Sequence, residues 1–347
     1  MKLCGMTGVS EAAQRWVGDE AIGLLARHRV PGLAVGVCDR TGPLWSAAYG
    51  ATAREGGRPV STDTIFSLQS ASKMYTATAV MCAVRDGLVD LDEPLPTYMP
   101  SFTVQSTWES TPESRITLRH LLSHQAGFVH EAPRGSNYDD SDESFEDHCA
   151  SISETWLEFS VGDRYFYSNL GIDLSALVLQ RVSGVPFPTY VDQIVVQPLG
   201  LHRTTFDLAR IEADPDRAIG HSDSAPPPLR VPMVGAGGAY ASVDDALRYI
   251  AFHLDSGQGV LTPDLIQEMY QVPGAAPGQQ IGYGLGIDTG TWNGRLVRNH
   301  GGGGFGFLCD LAWDPTAGVG VVALTNSEDH PFQVRFATQI LDLVTST

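Results

Sequence analysis

Strand-like segments lie near both ends of this chain, and helix-like segments fill its middle. Two short β-rich runs, 33–39 and 44–50, flank the turn-forming residues Arg40–Pro43, as in a hairpin. Further strand-like segments follow late in the chain, at 281–288, 295–299, 305–313 and 319–325. Helical patterns occur at 10–29, 70–85, 117–124, 169–182, from 242, and at 331–344. This order predicts an α+β fold with one antiparallel sheet built from both chain ends, flanked by helices.

The same order predicts two lobes. Residues 1–68 and 235–347 would form the sheet lobe, and residues 69–234 a mostly helical lobe inserted into it. Residues 220–232, which contain the triple proline Pro226–Pro228, are predicted to form an extended connector close to the second boundary. We expect an active site in the cleft between the lobes.

Charge and composition exclude several classes of partner. A formal net charge of −18 at pH 7 repels phosphates, which disfavours nucleic acids and anionic membranes. No apolar run approaches the ~20 residues of a membrane span, and Met1–Ser10 lacks the apolar part of a signal peptide, which predicts a cytoplasmic protein. The scattered cysteines, without any Cys-x-x-Cys pair, predict neither a disulfide framework nor a zinc ribbon: Cys4, Cys38, Cys82, Cys149 and Cys309. The sequence implies no metal or organic cofactor and is silent on oligomeric state.

Lysine is rare in this sequence, and its position is informative. The chain has twenty arginines but two lysines, Lys2 and Lys73, and Lys73 lies three residues after Ser70. Residues i and i+3 share a helix face, so the hydroxyl and the amine can meet. A free lysine has a pKa of ~10.4 and is almost wholly protonated at pH 7, but a buried lysine can lose its proton, whereas arginine stays charged. The spacing therefore indicates a serine nucleophile with a lysine base, although an ordinary helix start with a surface lysine has the same spacing.

Two further motifs carry suitable chemistry. Tyr167-Ser168-Asn169 precedes a helix, where a tyrosine could relay a proton and Asn169 could hydrogen-bond the Lys73 amine and a substrate carbonyl. His300-Gly301-Gly302-Gly303 lies on or beside a strand, and its glycines would let a substrate lie flat against the strand edge. Taken singly, each also fits a helix cap or a glycine-rich turn.

Together the three motifs resemble a known superfamily. Ser-x-x-Lys, Tyr-x-Asn and His-x-Gly, in this order and with this wide separation, resemble the serine β-lactamase and penicillin-binding-protein superfamily. The pattern is most similar to the class C β-lactamase-like branch of family VIII-type esterases, D-aminopeptidases and acyltransferases. The resemblance covers nearly the whole chain, including 33–37, 116–124, 167–170, 235–238 and 300–307.

The resemblance implies a role for each matched residue. Ser70 would be the acylated nucleophile, Lys73 its base and Tyr167 the proton relay. The backbone N–H groups of Ser70 and Gly303 would form the oxyanion hole. The implied substrate-binding set is Asn169, His300, Gly301, Gly302 and Gly303.

The third motif departs from the pattern of penicillin-directed members, which usually have Lys-Thr-Gly or Lys-Ser-Gly there. In this chain His300 replaces a permanent cation that would hold a substrate carboxylate, and the hydroxyl is missing. Esterase-like relatives often have this pattern. The sequence therefore predicts an esterase acting on small esters or, less readily, amides, rather than an efficient β-lactamase.

Other interpretations of the same residues are weaker. An α/β-hydrolase needs a Gly-x-Ser-x-Gly elbow, which the sequence lacks. Gly301-x-Gly303-x-x-Gly306 matches a dinucleotide fingerprint formally, without the helix and acidic residue that should follow. His120 and His124 could ligate a metal, but no third ligand is evident and packing at the helix end is favoured.

The predicted reaction is acyl transfer through a covalent intermediate on Ser70, with deacylation by water. Transfer to a specific alcohol or amine acceptor, and β-lactamase or D-amino-acid peptidase activity, remain open as alternatives. The alternative that is not an enzyme is a catalytically silent homologue that only binds ligands. The sequence does not name the substrate.

Overall fold

The computed structural model describes residues 8–136, 143–223, 229–257, 259–276 and 279–345. Of the connector predicted at 220–232, residues 224–228 lie outside these ranges. Within them, none of the helices combines the length and the apolar character that crossing a membrane requires. The cytoplasmic location stays a prediction of the sequence.

Each of the six predicted helices has a counterpart, and the described part of the chain contains five further α-helices that were not predicted. The α-helices are α1 Glu11–His28, α2 Ser72–Arg85, α3 Leu118–Leu122, α4 Phe145–Ala150, α5 Asn169–Ser183, α6 Phe187–Val191, α7 Leu208–Ala213, α8 Val234–Gly237, α9 Val243–Leu254, α10 Pro263–Tyr270 and α11 Gln333–Thr345. Those that were not predicted are α4, α6, α7, α8 and α10. The 3₁₀ segments are Gln69–Ala71, Leu95–Thr97, Pro112–Ser114 and Ser151–Glu154, and a π-helical turn covers Asp192–Val196. Ser10 and Ser242 cap α1 and α9 through their hydroxyls, as their sequence positions predict.

The strands form the expected antiparallel sheet. They are β1 Gly32–Asp39, β2 Gly42–Gly50, β3 Phe66–Ser67, β4 Thr204–Thr205, β5 Tyr240–Ala241, β6 Gly282–Tyr283, β7 Asp288–Trp292, β8 Arg295–Gly304, β9 Phe307–Asp314 and β10 Val319–Thr325. In the described part of the chain, seven of them form one sheet in the order β2-β1-β10-β9-β8-β7-β6, with antiparallel pairing throughout. Strand β1 pairs with β10 from Leu33↔Thr325 to Asp39↔Val319, so strands from the two ends of the chain lie side by side within the sheet.

Both faces of this sheet are covered, which explains why β1 is a continuous apolar run. All eight residues of β1 are buried. Leu33, Val35 and Val37 pack with α1 and α11 on one face, whereas the alternating Ala34 and Cys38 belong to the larger core on the other face. The sheet is thus a rigid layer between two sets of helices.

A small second sheet connects the region before α2 to the region before α9. Strand β5 pairs with β3 on one side and β4 on the other, in the register Phe66↔Ala241 and Thr204↔Ala241. Because β3 ends three residues before Ser70, this pairing fixes where the first motif starts.

The structure corrects three predicted element bounds. Helix α3 ends at Leu122 instead of reaching His124, because His124 adopts a left-handed φ of 59°. The single strand predicted at 281–288 is divided into β6 and β7 by a turn in which Gly286 has φ 73°. Strand β8 runs on to Gly304, and Phe305 (φ 52°) and Gly306 (φ 79°) form the turn to β9. The lobe boundaries at 68/69 and 234/235 remain predictions.

Candidate active site

The chain bends sharply just before Ser70. Gln69 has a φ of 46°, a conformation that residues other than glycine seldom adopt. The 3₁₀ turn Gln69–Ala71 then leads directly into α2. This bend leaves Ser70 partly exposed, whereas Lys73, one turn later, is completely buried.

Lys73 is placed to act as a base on Ser70. Its Nζ donates to Ser70 Oγ at 3.0 Å and to the carbonyl oxygen of Ala236 at 2.9 Å. Burial lowers the pKa of Lys73 to about 7, although the carboxylates of Asp173 and Glu131 act in the opposite direction. The neutral amine is therefore far more populated near pH 7 than in a free lysine. A neutral amine at hydrogen-bonding distance can accept the hydroxyl proton as the serine attacks.

Tyr167 contacts both members of this pair. The Ser70 side chain lowers the pKa of the Tyr167 phenol, against the larger effect of burial, and Lys73 Nζ lies 4.8 Å from the centre of the Tyr167 ring. Burial raises the pKa of Tyr167 well above its ordinary value. The phenol thus keeps its proton at neutral pH and can donate it next to Ser70.

His300 is a neutral hydrogen-bonding side chain in this structure. Its Nδ1 lies 2.6 Å from the carbonyl oxygen of Gly301, so Nδ1 carries the proton and donates it. Its Nε2 then accepts from the hydroxyl of Tyr283 at 2.9 Å. Burial, with a contribution from the charge of Lys73, lowers the pKa of His300 to about 3. The imidazole that replaces the usual lysine therefore carries no positive charge near pH 7.

Gly302 brings strand β8 against the segment that leads to Ser70. A Cβ at Gly302 would lie 2.0 Å from the carbonyl oxygen of Leu68, which itself accepts a hydrogen bond from the Cys309 thiol at 3.2 Å. Only glycine allows this approach. At Gly301 a Cβ would have its nearest contact at 3.5 Å, an ordinary van der Waals distance.

Asn169 lies in the site but not in the predicted contact. Its Nδ2 donates to Glu131 Oε1 at 2.6 Å, while its Oδ1 is buried and has no hydrogen-bond partner among the described residues. The predicted hydrogen bond between Asn169 and Lys73 is not formed, because the Lys73 amine is directed to Ser70 and Ala236. The amide nitrogen, which has a second N–H bond, also lies 3.7 Å from Met233 Sδ, and its donation to a substrate carbonyl stays a prediction.

These residues surround one cavity of about 440 Å³. Its wall includes the predicted site residues Ser70, Tyr167, Asn169, His300, Gly301, Gly302 and Gly303. Lys73 lies behind Ser70, outside the wall. The structure thus gathers three motifs that are separated by up to 230 positions in the sequence.

A buried network holds the carbonyl that contacts Lys73. Asp173 Oδ1 accepts from the backbone N–H groups of Gly235 and Ala236 at 2.8 and 3.1 Å. His148 Nε2 lies 3.2 Å from the other carboxylate oxygen. Although burial lowers it, the hydrogen bond to Asp173 raises the pKa of His148 overall. The network fixes the Ala236 carbonyl, and with it the position of Lys73.

Sequence reasoning did not find several residues of the site. Glu131 and Tyr283 line the cavity, but neither belongs to a recognisable motif. The stretch 235–238 was part of the resemblance, yet only the fold shows that Ala236 contacts Lys73. No sequence pattern marks Asp173 either, because an aspartate within a helical segment resembles any other polar residue of a helix.

The two histidines considered as metal ligands have other partners. His120 Nδ1 lies 3.0 Å from Thr117 Oγ1. His124 Nδ1 accepts from the Ser168 N–H at 3.1 Å, which positions the second motif. The described residues contain no group of three or more side chains that could hold a metal ion.

Comparison with known proteins gives a consistent result. A family model described as "Beta-lactamase" matches residues 19–345. "Esterase EstB" from Burkholderia gladioli is 28% identical over 334 residues, which cover 84% of this chain and 78% of that protein. "D-alanyl-D-alanine-carboxypeptidase/endopeptidase AmpH" from Escherichia coli K12 is 27% identical over 337 residues, covering 90% and 84%. The solved structure described as "EstCE1, a hydrolase with promiscuous acyltransferase activity" has a TM-score of 0.79 at 25% identity, covering 97% of this chain and 100% of that one.

Proposed function

Because this chain belongs to the beta-lactamase family and is a serine hydrolase, we propose that it is a carboxylesterase that hydrolyses small esters through an acyl-enzyme on Ser70. The observation that carries this proposal is the buried Lys73 amine, 3.0 Å from the Ser70 hydroxyl and with its pKa lowered to about 7. Such a pair is a nucleophile with its base.

The proposed reaction has two halves. Neutral Lys73 takes the Ser70 proton while Oγ adds to the ester carbonyl carbon, and the backbone N–H groups of Ser70 and Gly303 hold the resulting oxyanion. Tyr167 donates its proton to the departing alkoxide, and the proton that Lys73 took from Ser70 then restores the Tyr167 phenol, so that the alcohol leaves neutral and Lys73 is neutral again. Water then attacks the acyl-enzyme with the same groups acting in reverse, which releases the carboxylic acid and restores Ser70.

The charge of the cavity favours an ester over a β-lactam. A β-lactam antibiotic carries a carboxylate, which a cation would bind. His300 is neutral here, and the described residues that line the cavity include no lysine or arginine. The carboxylates of Glu131 and Asp288 line it together with His130, whose pKa is raised by its hydrogen bond to Glu131, so the described lining offers a substrate carboxylate no cation in place of the lysine.

Acyl transfer is the second candidate. EstCE1, whose fold this chain shares, is described as having promiscuous acyltransferase activity. An alcohol or amine that enters the cavity in place of water would take the acyl group by the same chemistry. Product analysis with and without added acceptor separates transfer from hydrolysis.

The test is intact-mass spectrometry combined with nitrophenol release. Wild type, Ser70→Ala and Lys73→Arg are each incubated with p-nitrophenyl acetate and butyrate, a cephalosporin and a fluorophosphonate. We expect a covalent adduct and ester turnover in the wild type, neither in Ser70→Ala, and turnover reduced about 10²–10⁴-fold in Lys73→Arg, because a guanidinium stays charged and cannot act as base.

Two variants serve as matched controls. Ser110→Ala removes an exposed hydroxyl, and Lys2→Arg makes the same change at the other lysine of the sequence; both should behave like the wild type. Full turnover by Ser70→Ala would refute the mechanism. An inert wild type that binds these esters without an adduct would instead identify a silent binding protein.

A further inference from the structure

Residues 129–131 lie far from the second motif in the sequence but bind it in the fold. Ser168 Oγ donates to the carbonyl oxygen of Val129 at 2.7 Å. The backbone N–H of Asn169 donates to the carbonyl oxygen of His130 at 2.9 Å. Because two successive carbonyls hold two successive residues of the motif, this segment fixes the course of the chain that carries the proposed proton donor.

The ring of His130 lies between two hydrogen-bond acceptors. Its Nδ1 is 3.1 Å from the carbonyl oxygen of Tyr167, and its Nε2 is 3.1 Å from Glu131 Oε1. A carbonyl and a carboxylate can only accept, and a neutral imidazole has a single N–H. Only the protonated ring, with an N–H on each nitrogen, satisfies both contacts at once. The geometry thus favours an imidazolium at this position.

The same ring packs beside the phenol that is proposed to donate the proton. The rings of His130 and Tyr167 are stacked, with their centres 5.6 Å apart and an angle of 27° between their planes. The Lys73 amine lies 4.8 Å from the centre of the same Tyr167 ring. His130 therefore holds Tyr167 both by its backbone carbonyl and by its ring.

The groups that face His130 favour its protonated form on balance. The hydrogen bond to Glu131 is the largest effect on its pKa and raises it, and the carbonyl of Tyr167 acts in the same direction. Partial burial and the charge of Lys73 act against them without reversing the shift. His124 packs on the Tyr167 ring with centres 4.3 Å apart, and it adds no charge near pH 7 because burial lowers its pKa well below the ordinary value.

We infer that His130 is a positioning residue of the esterase: its protonated ring joins the Tyr167 carbonyl to Glu131 and so keeps the Tyr167 phenol where it protonates the departing alkoxide. This assignment rests on the proposed function and adds a residue to it. His130 forms no bond to the reacting atoms and acts through Tyr167. When the ring loses its proton, one of its two contacts becomes a repulsion between acceptors, and the hold on Tyr167 weakens.

The test uses two esters with the same acyl group and different alcohols. p-Nitrophenolate leaves readily as an anion, whereas ethoxide needs a proton as it leaves, so only ethyl butyrate depends strongly on the Tyr167 proton. We measure kcat/KM for both esters, because it includes the acylation step in which the alcohol departs.

The two esters should differ in their pH dependence. Because the pKa of His130 is raised, its proton is kept at neutral pH and lost as the pH rises through that value. We expect kcat/KM of the wild type for ethyl butyrate to fall there, while that for p-nitrophenyl butyrate stays level. Tyr167 itself does not titrate in this range, since burial raises its pKa well above the ordinary value.

Variants at position 130 identify the group responsible. His130→Phe keeps a ring beside Tyr167 and removes both hydrogen bonds. Since a misplacement of about 1 Å can cost about 10²-fold, we expect kcat/KM to fall about tenfold to a hundredfold for ethyl butyrate and less than about threefold for p-nitrophenyl butyrate. His130→Gln, which keeps a donor but cannot titrate, should lose the fall at high pH and serves where the Phe variant does not fold. His202→Phe, at an exposed histidine, is the matched control and should behave like the wild type.

The outcomes separate this inference from the proposed function. Equal losses for the two esters in His130→Phe would indicate a general disturbance of the site and overturn the positioning role. A wild-type profile for ethyl butyrate that stays level at high pH, or a fall that persists in His130→Gln, would overturn the need for the protonated ring. In each of these cases the esterase stands. Absence of turnover of both esters by the wild type would refute the esterase itself.

Discussion

At the scale of single residues, two opposing effects set the pKa of Lys73. Complete burial disfavours its charged form, while the carboxylates of Asp173 and Glu131 favour it, and burial dominates. The result is an amine that titrates near neutrality beside a serine hydroxyl. An arginine in the same place would stay protonated, which explains why a chain so rich in arginine keeps a lysine here.

The pH dependence of the wild type should report this titration. Below a pKa of about 7, Lys73 is protonated and cannot accept the Ser70 proton. We expect kcat/KM for p-nitrophenyl acetate to rise about tenfold per pH unit up to that value and then to level off. His300, with its pKa lowered to about 3, adds no step in this range. A rate profile that is flat from pH 5 to 9 would contradict the role of Lys73.

At the scale of elements, the site depends on how closely strand β8 approaches the segment before α2. Gly302 lies against the carbonyl of Leu68, and the same carbonyl accepts from Cys309 on β9. This contact sets the width of the cavity between Ser70 and the glycine strand. Helix α8 contacts the site from behind Ser70, where the Ala236 carbonyl accepts a hydrogen bond from Lys73.

Substitution of adjacent glycines should have unequal effects. Gly302→Ala places a Cβ 2.0 Å from a backbone oxygen, so β8 has to move away from Ser70. We expect a loss of roughly 1–3 kcal/mol of stability and of most esterase activity. Gly301→Ala meets its nearest atom at 3.5 Å and should melt within a few degrees of the wild type. Equal melting temperatures for the two variants, measured by circular dichroism, would refute the packing argument.

The hydrogen bonds of Asp173 to α8 and to His148 can be tested separately. Asp173→Asn removes the negative partner of buried His148 and should destabilise the fold by about 3–5 kcal/mol. It also removes a charge that raises the pKa of Lys73, so the acid limb of the rate profile should move to lower pH. A purely structural residue would not shift that limb. Asp264→Asn, at an exposed position, is the control and should change neither quantity.

At the scale of the whole molecule, the two predicted lobes share a core. Tyr75 of α2 stacks on Tyr249 of α9 with ring centres 3.8 Å apart. Thr78 Oγ1 lies 2.7 Å from the hydroxyl of Tyr249. One continuous cluster of buried apolar side chains extends from the helices between residues 69 and 234 to strands β1, β9 and β10. The active-site cleft is therefore an indentation in the surface of this common core.

A shared core should make unfolding cooperative. We expect a single calorimetric transition in which the calorimetric and van't Hoff enthalpies agree, since neither predicted lobe keeps its buried surface without the other. Differential scanning calorimetry of the full chain measures this. Two separated transitions would show that the lobes are independent domains and would support the boundaries at 68/69 and 234/235 as domain limits.

The sequence by itself determined what depends on neighbours along the chain. Alternation and apolar runs identified β1, β2, β9 and β10, and capping serines marked the starts of α1 and α9. Helical spacing placed Ser70 and Lys73 on one face. These features follow from local geometry, because a strand repeats every two residues and a helix turns every 3.6, so composition and order are sufficient.

Only the tertiary structure decided which distant groups meet and how deeply they are buried. Burial lowers the pKa of His300 to about 3, so its imidazole is neutral, and it lowers the pKa of Lys73 to about 7. The approach of Glu131 fixes the Asn169 amide by accepting a hydrogen bond from its nitrogen, a contact that no sequence pattern predicts. Hydrogen-bond direction and pKa are set by atoms that come together through folding of segments far apart in the chain. No local pattern encodes them, and they are the properties that determine which substrate fits.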